Sequence, residues 1–105
     1  MSDREDAVLA RFRRLLNATY GEQIERVLLF GSRARGDAAS DSDYDVAVFL
    51  KEPKSFWSES GRLADIETEI LLDTGAVINA LPFGAAAFAE ESAFMRELKR
   101  DGRDL

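Results

Sequence analysis

Neither cysteine nor histidine occurs anywhere in these 105 residues. Disulfides, thiolate chemistry, zinc sites of the usual kind and histidine general bases are therefore excluded. Acid–base work must fall to carboxylates, or to a metal ion that carboxylates hold. No apolar run approaches the ~20 residues that would span a bilayer. The first residues, MSDRED, are acidic and lack the apolar stretch of a secretion signal. Basic residues are outnumbered, 14 against 20 acids, for a net charge of −6. A broadly acidic surface argues against non-specific binding to nucleic acid or to an anionic membrane. These features predict a soluble, cytoplasmic chain. With 46% hydrophobic content, 105 residues suffice for one core and are too few for two, so residues 1–105 are expected to form one domain.

The chain reads as alternating helices and strands. Ser2 and Glu5 form a capping box, and Val8, Leu9, Phe12, Leu15 and Leu16 follow at helical spacing until Gly21. Arg4, Arg11 and Arg14 then lie on a solvated face. Ile24 to Phe30 reads as a strand, and so does Tyr44 to Leu50, closed by Pro53. In the second strand both faces are apolar after Asp45, which predicts a central position. A helix is expected over about Ser55 to Asp73, with Phe56 and Trp57 in register with Leu63. Those two aromatics suit either a core or a platform for a nucleobase, and the register favours the core. Ala76 to Leu81 reads as a third strand stopped by Pro82, and Gly84 to Lys99 as a last helix. The expected architecture is an α/β (α+β) layer fold, about three strands packed with about four helices.

Reactive groups concentrate between the first two strands, in Gly31 to Asp45, GSRARGDAASDSDYD. Asp43 and Asp45 stand two apart at the start of a strand. Period-two geometry puts their carboxylates on one face, with Cα atoms about 6.5 Å apart. Such a pair repels, and a divalent cation, Mg²⁺ or Mn²⁺, removes the repulsion. Gly31-Ser32 follows a strand and opens a short Ala/Arg segment, which places backbone N–H groups and a hydroxyl where a phosphate would sit. Arg33 and Arg35 can pair with phosphate oxygens. Taken alone, the acidic pair reads better as a solvated turn, the glycine as an ordinary bend and the arginines as a solvated face. Two other motifs fail. A Walker A loop would need lysine where Asp37 stands. An EF-hand loop would need glycine at Val46 and cannot wrap around calcium when its second half is the strand VAVFL.

Gly31-Ser32, ten residues, then Asp43-Tyr44-Asp45, each end abutting an apolar strand, resembles the signature of the DNA polymerase beta-like nucleotidyltransferase superfamily. The form GSRARG…SDYD is similar to its minimal nucleotidyltransferase (MNT) group. The resemblance implies a palm-like sheet, Mg·ATP bound at Gly31, Ser32, Arg33 and Arg35, and metal held by Asp43 and Asp45. It also implies AMP transfer to a hydroxyl of a protein partner, a HEPN-domain ribonuclease toxin for which the MNT protein is the antitoxin.

The chain departs from that pattern at one place. A third carboxylate is usual on the next strand, where this sequence offers only Asn79. An amide oxygen can ligate, but it brings no charge and is no base. Glu52 lies about 23 Å along the strand from Asp45, out of reach. Asp73 would serve only if its loop folded inward. Two readings follow: an adenylyltransferase working with two carboxylates and the Asn79 amide, and a nucleotidyltransferase-fold module that neutralises its partner by contact. A third is a Mg-nucleotide sensor that binds without transfer.

Overall fold

The computed structural model describes residues 3–105, so Ser2 and its part in a capping box lie outside the described residues. The elements are α1 (Asp3–Tyr20), β1 (Ile24–Phe30), α2 (Gly31–Arg35), β2 (Tyr44–Leu50), α3 (Phe56–Thr74), β3 (Ile78–Gly84), α4 (Ala93–Asp101) and β4 (Arg103–Asp104), with 3-10 turns at Gly21–Gln23 and Ala85–Ala89. They build one four-stranded sheet in the order β3-β2-β1-β4. Strand β1 runs antiparallel to β2 and β4, and β3 runs parallel to β2 across the α3 connection.

Period-two alternation sorts β2 between two cores. Tyr44, Val46, Val48 and Leu50 pack against Phe12 and Leu16 of α1 and Leu63, Ile66 and Ile70 of α3. Ala47 and Phe49 face the other way, toward Met95 and Leu98 of α4. Covered on both faces, β2 is central, as the sequence predicts. Helices α3 and α4 start on local signals, and α3 stops on one. Ser55 accepts the Ser58 N–H at the start of α3, Gly75 ends it at φ 77°, and Ser92 accepts the Met95 N–H at the start of α4.

Four expectations need correction. The sheet has a fourth strand, the two-residue β4, because Leu28 and Leu29 pair with Asp104 and Arg103. Pro82 does not stop β3, which runs on to Gly84. By alternation with Ala80, whose N–H points away from β2 to Glu67 at 2.7 Å, the Pro82 nitrogen falls on the outer edge, where a missing donor breaks no ladder bond. The predicted last helix is really two pieces. A strand end brings Phe83 into a stack with Phe49 at 5.2 Å, a 3-10 turn sets Phe88 edge-on to Phe49 at 5.5 Å, and Ser92 then starts α4. Finally, Phe56 and Trp57 are not core: they are 57% and 81% exposed. At 100° per residue Trp57 points about 120° away from Leu63, and Phe56 sits in the first turn beside Pro53 and Gly84.

Polar contacts hold both ends of α3. At its start the buried Glu59 accepts the Lys54 N–H at 2.9 Å and the Tyr20 hydroxyl at 3.2 Å. Burial, then the Glu59 charge, pushes the Tyr20 phenol up to about 12. At its end Arg4 donates to the Thr74 carbonyl and Arg11 pairs with Asp73. Two of the arginines expected on a solvated face thus fasten α1 to α3.

Candidate active site

Strand β1 delivers its last residue, Phe30, opposite Asp45, and the chain turns at once into α2. Gly31 sits at φ +73°, a left-handed conformation. A Cβ there would stand 2.6 Å from Asp45 Oδ2, inside contact distance. Glycine therefore does two things: it allows the turn, and it leaves Asp45 the space to lie against α2. Gly36, at φ 85°, closes α2, and the Ser32 carbonyl accepts the N–H groups of Gly36 and Asp37.

We expect Gly31→Ala to cost more than the ~1 kcal/mol usual for alanine at a positive φ, because it adds the Asp45 collision. Gly36→Ala is the control: it shares the positive φ, and nothing lies within 4 Å of where its Cβ would stand. Urea midpoints that fall equally in both variants would show that the Asp45 contact is immaterial.

The parallel register sets Asn79 of β3 beside Asp45. The Asn79 amide donates to Asp43 Oδ2 at 3.0 Å. Asp43, Asp45 and Asn79 thus converge on one sheet face; alternation expects this of the two aspartates, and the register adds Asn79. Burial is the main force pushing the Asp45 carboxyl above its usual range. Hydrogen bonding from Asn79 pulls it back, the Asp43 charge pushes it further up and the Arg35 charge lowers it.

The two arginines part company. Arg35 stays on the site side, near enough to act on the Asp45 charge, with Nε 3.2 Å from Asp37 and Nη1 3.9 Å from Glu97. Arg33 is buried and engaged elsewhere. It donates to the carbonyls of Ser42 at 2.7 Å and Ser40 at 3.2 Å, pairs with Glu5 at 3.3 Å and lies 4.1 Å over the Tyr44 ring. Tyr44 faces the α1–α3 core, opposite the carboxylates. This corrects the expectation of a phosphate fork at Arg33: its guanidinium holds the 37–43 loop that presents Asp43. The sequence signal for that role is the alternation that turns Tyr44 away from its two aspartate neighbours. Behind this loop lies an open cavity of about 610 Å³, lined by Arg4, Arg33, Ser40, Asp41 and Tyr44 among others, with neither Asp43 nor Asp45 in its wall.

The model for the family "Polymerase beta, Nucleotidyltransferase" matches residues 15–91, well over half of the chain and the whole of this site. The chain belongs to that nucleotidyltransferase family. A Methanocaldococcus jannaschii protein named "Putative protein adenylyltransferase" is 30% identical over 103 residues, 96% of this chain and 97% of its own length. Two solved structures share the fold. One is a toxin–antitoxin complex with AMP-PNP, at a TM-score of 0.65 and 14% identity, covering 90% of this chain and 69% of the other. The second contains a tri-AMPylated Shewanella oneidensis HEPN toxin with its MNT antitoxin, at a TM-score of 0.55 and 9% identity, covering 92% and 70%.

The family implies a divalent cation, and the donor set fits one. Two carboxylates converge, one of them pushed toward protonation by burial and by the other, and an amide adjoins them. No group of three or more Asp or Glu side chains placed to hold a metal ion exists among the described residues. Asp73, the reserve candidate, is held by Arg11 on the α1 side. No helix among the described residues is long and apolar enough to cross a membrane.

Proposed function

We propose that this nucleotidyltransferase moves AMP from ATP to a hydroxyl of a protein partner, and that the partner is a HEPN-type toxin which the transfer silences. The observation that carries the reading is the convergence of Asp43, Asp45 and Asn79 beside the Gly31-Ser32 turn. The AMPylated toxin in one structural neighbour and the AMP-PNP in another support it.

Asp43 and Asp45 are the residues that would hold Mg²⁺ or Mn²⁺, whose charge would offset that of the polyphosphate and the leaving group. Ser32 and the uncapped first turn of α2 supply donors for a phosphate. Arg35 supplies a cation, exchanging Asp37 and Glu97 for phosphate oxygens. In the transfer, the acceptor oxygen bonds to the α-phosphorus, the bond to pyrophosphate breaks and the hydroxyl proton passes to water. The chain's own part is positioning and charge neutralisation, since Asn79, which is no base, stands beside the pair where a third carboxylate is usual. Asn79 in the third position is the specific feature that favours the second reading, neutralisation by contact alone.

The deciding experiment is incubation with labelled ATP, Mg²⁺ and any HEPN-type protein that a neighbouring reading frame encodes, followed by intact mass. A gain of AMP on the partner supports transfer; neutralisation with no mass change supports contact. We further expect Ser32→Ala to weaken ATP binding by about 0.5–1.5 kcal/mol, the net worth of one hydrogen bond. Arg35→Ala should cost more, since its bonds are charge-assisted. Equal calorimetric affinity of the wild type for ATP and adenosine would refute both.

A further inference from the structure

Helix α3 buries Leu63, Ile66 and Ile70 against the sheet and leaves a second apolar face in water. Trp57 is 81% exposed, Leu72 80% and Leu71 46%, and Gly61, Ala64 and Thr68 between them are also exposed. These positions follow one another at steps of three and four, so they form one continuous stripe along the helix. No charge interrupts it. Thr68 turns its hydroxyl back to the Ala64 carbonyl at 2.9 Å, which leaves its methyl on the stripe. Two large ends and a low middle are what a helix needs to seat another helix along its length. Lone exposed apolar residues need no explanation, but a contiguous uncharged stripe anchored by tryptophan marks an interaction surface.

The flanks say what kind of partner it fits. Asp65 borders the stripe on one side, next to Gly61 and Thr68. On the other side Glu67, between Ala64 and Leu71, turns its carboxylate to the Ala80 N–H of β3, so Asp65 carries the flanking charge. The only basic residue on α3, Arg62, is taken up by Glu59, the Thr19 carbonyl and the Tyr20 ring. A second copy is a poor occupant. The antiparallel register that sets Trp57 against Leu72 of the other copy brings the two Asp65 side chains together at the axis, in a chain of net charge −6. We propose that the exposed face of α3 docks an amphipathic helix of a partner protein, apolar along one stripe and flanked by lysine or arginine. The surface ends at Leu71 and Leu72, one turn before the loop into β3 and Asn79. Helix α3 covers the sheet face opposite Asp43 and Asp45, so a partner seated there docks apart from the candidate site. This deepens the transfer reading by naming the chemistry of the partner, and binding is measured without transfer.

Trp57, the sole tryptophan, reports the event. The probes are two synthetic helices of about 18 residues, enough to span Trp57 to Leu72, with the same leucine stripe and either lysine or glutamate flanks. The full chain should bind the lysine-flanked peptide, with a blue shift of Trp57 emission, at least about tenfold more tightly than the glutamate-flanked one. Ala64→Asp should weaken that binding about tenfold or more while the far-ultraviolet dichroism stays unchanged, and Asp65→Lys gives a second, solvent-facing variant with the same expected direction. Asp43→Asn with Asp45→Asn should leave it intact, so loss of transfer and loss of docking are told apart. No Trp57 shift with either peptide, equal binding of the two, or a shift that follows protein concentration alone as the chain dimerises would each overturn the proposal.

Discussion

Replacing both Asp43 and Asp45 by asparagine should abolish AMP transfer and Mg²⁺-dependent ATP binding, while the fold persists. Removing both charges that would hold the cation should forfeit several kcal/mol of charge stabilisation, about 10²-fold or more in rate. Asparagine keeps an oxygen at each place, so the Asn79 amide still finds an acceptor where it now donates to Asp43. Stability should move the other way in metal-free buffer. The folded state raises the Asp45 carboxyl chiefly by burial, so its ionised form opposes folding at neutral pH. That opposition fades as pH falls through the raised value. Asp45→Asn should therefore raise the urea midpoint at pH 7 without metal, and the gain should shrink toward acid pH. The checks are isothermal titration with Mg·ATP, a transfer assay and urea melts at two pH values. Unchanged Mg·ATP affinity in the double variant would remove these two residues from the metal assignment.

The second large effect is expected from a gain. Asn79→Asp supplies the carboxylate that the third position lacks. The register beside Asp45 and the hydrogen bond to Asp43 place it on the correct face. With metal present, a third charge should lower the Mg²⁺ concentration needed, and a candidate base should raise transfer by up to about 10²-fold, the low end for general-base catalysis. Without metal the same substitution loses a donor and adds a third negative charge, so the urea midpoint should fall. A chain that neutralises its partner by contact alone would show the fall in stability and no change in neutralisation. Equal transfer rates in wild type and variant would show that position 79 takes no part in the chemistry. Asp73 could not then inherit the role, because Arg11 holds it on the other side of the sheet.

What the sequence determined by itself is what period and spacing encode. Alternation in Tyr44 to Leu50 gave β2 two apolar faces, hence a central place, and period two set Asp43 and Asp45 on one face, while only the parallel register of β3 brought Asn79 to it. Glycine after a strand, followed at fixed distance by paired aspartates, was enough to mark the family, because a left-handed turn and a carboxylate pair each demand particular residue types. Tertiary structure decided the rest. Arg33 and Arg35 look alike in the sequence, yet the loop buries one over Tyr44 and leaves the other near Asp45, since which carbonyls lie in reach depends on how residues 37–43 fold back. Pro82 reads as a terminator until the edge position of β3 makes its missing N–H harmless. Phe56 and Trp57 share a helix with Leu63, and helical spacing already sets Trp57 about 120° away from it, whereas the exposure of Phe56, nearly in register with Leu63, depends on how the start of α3 meets the sheet. Local pattern fixes which side of an element is apolar. What covers that side is settled by elements far away in the chain.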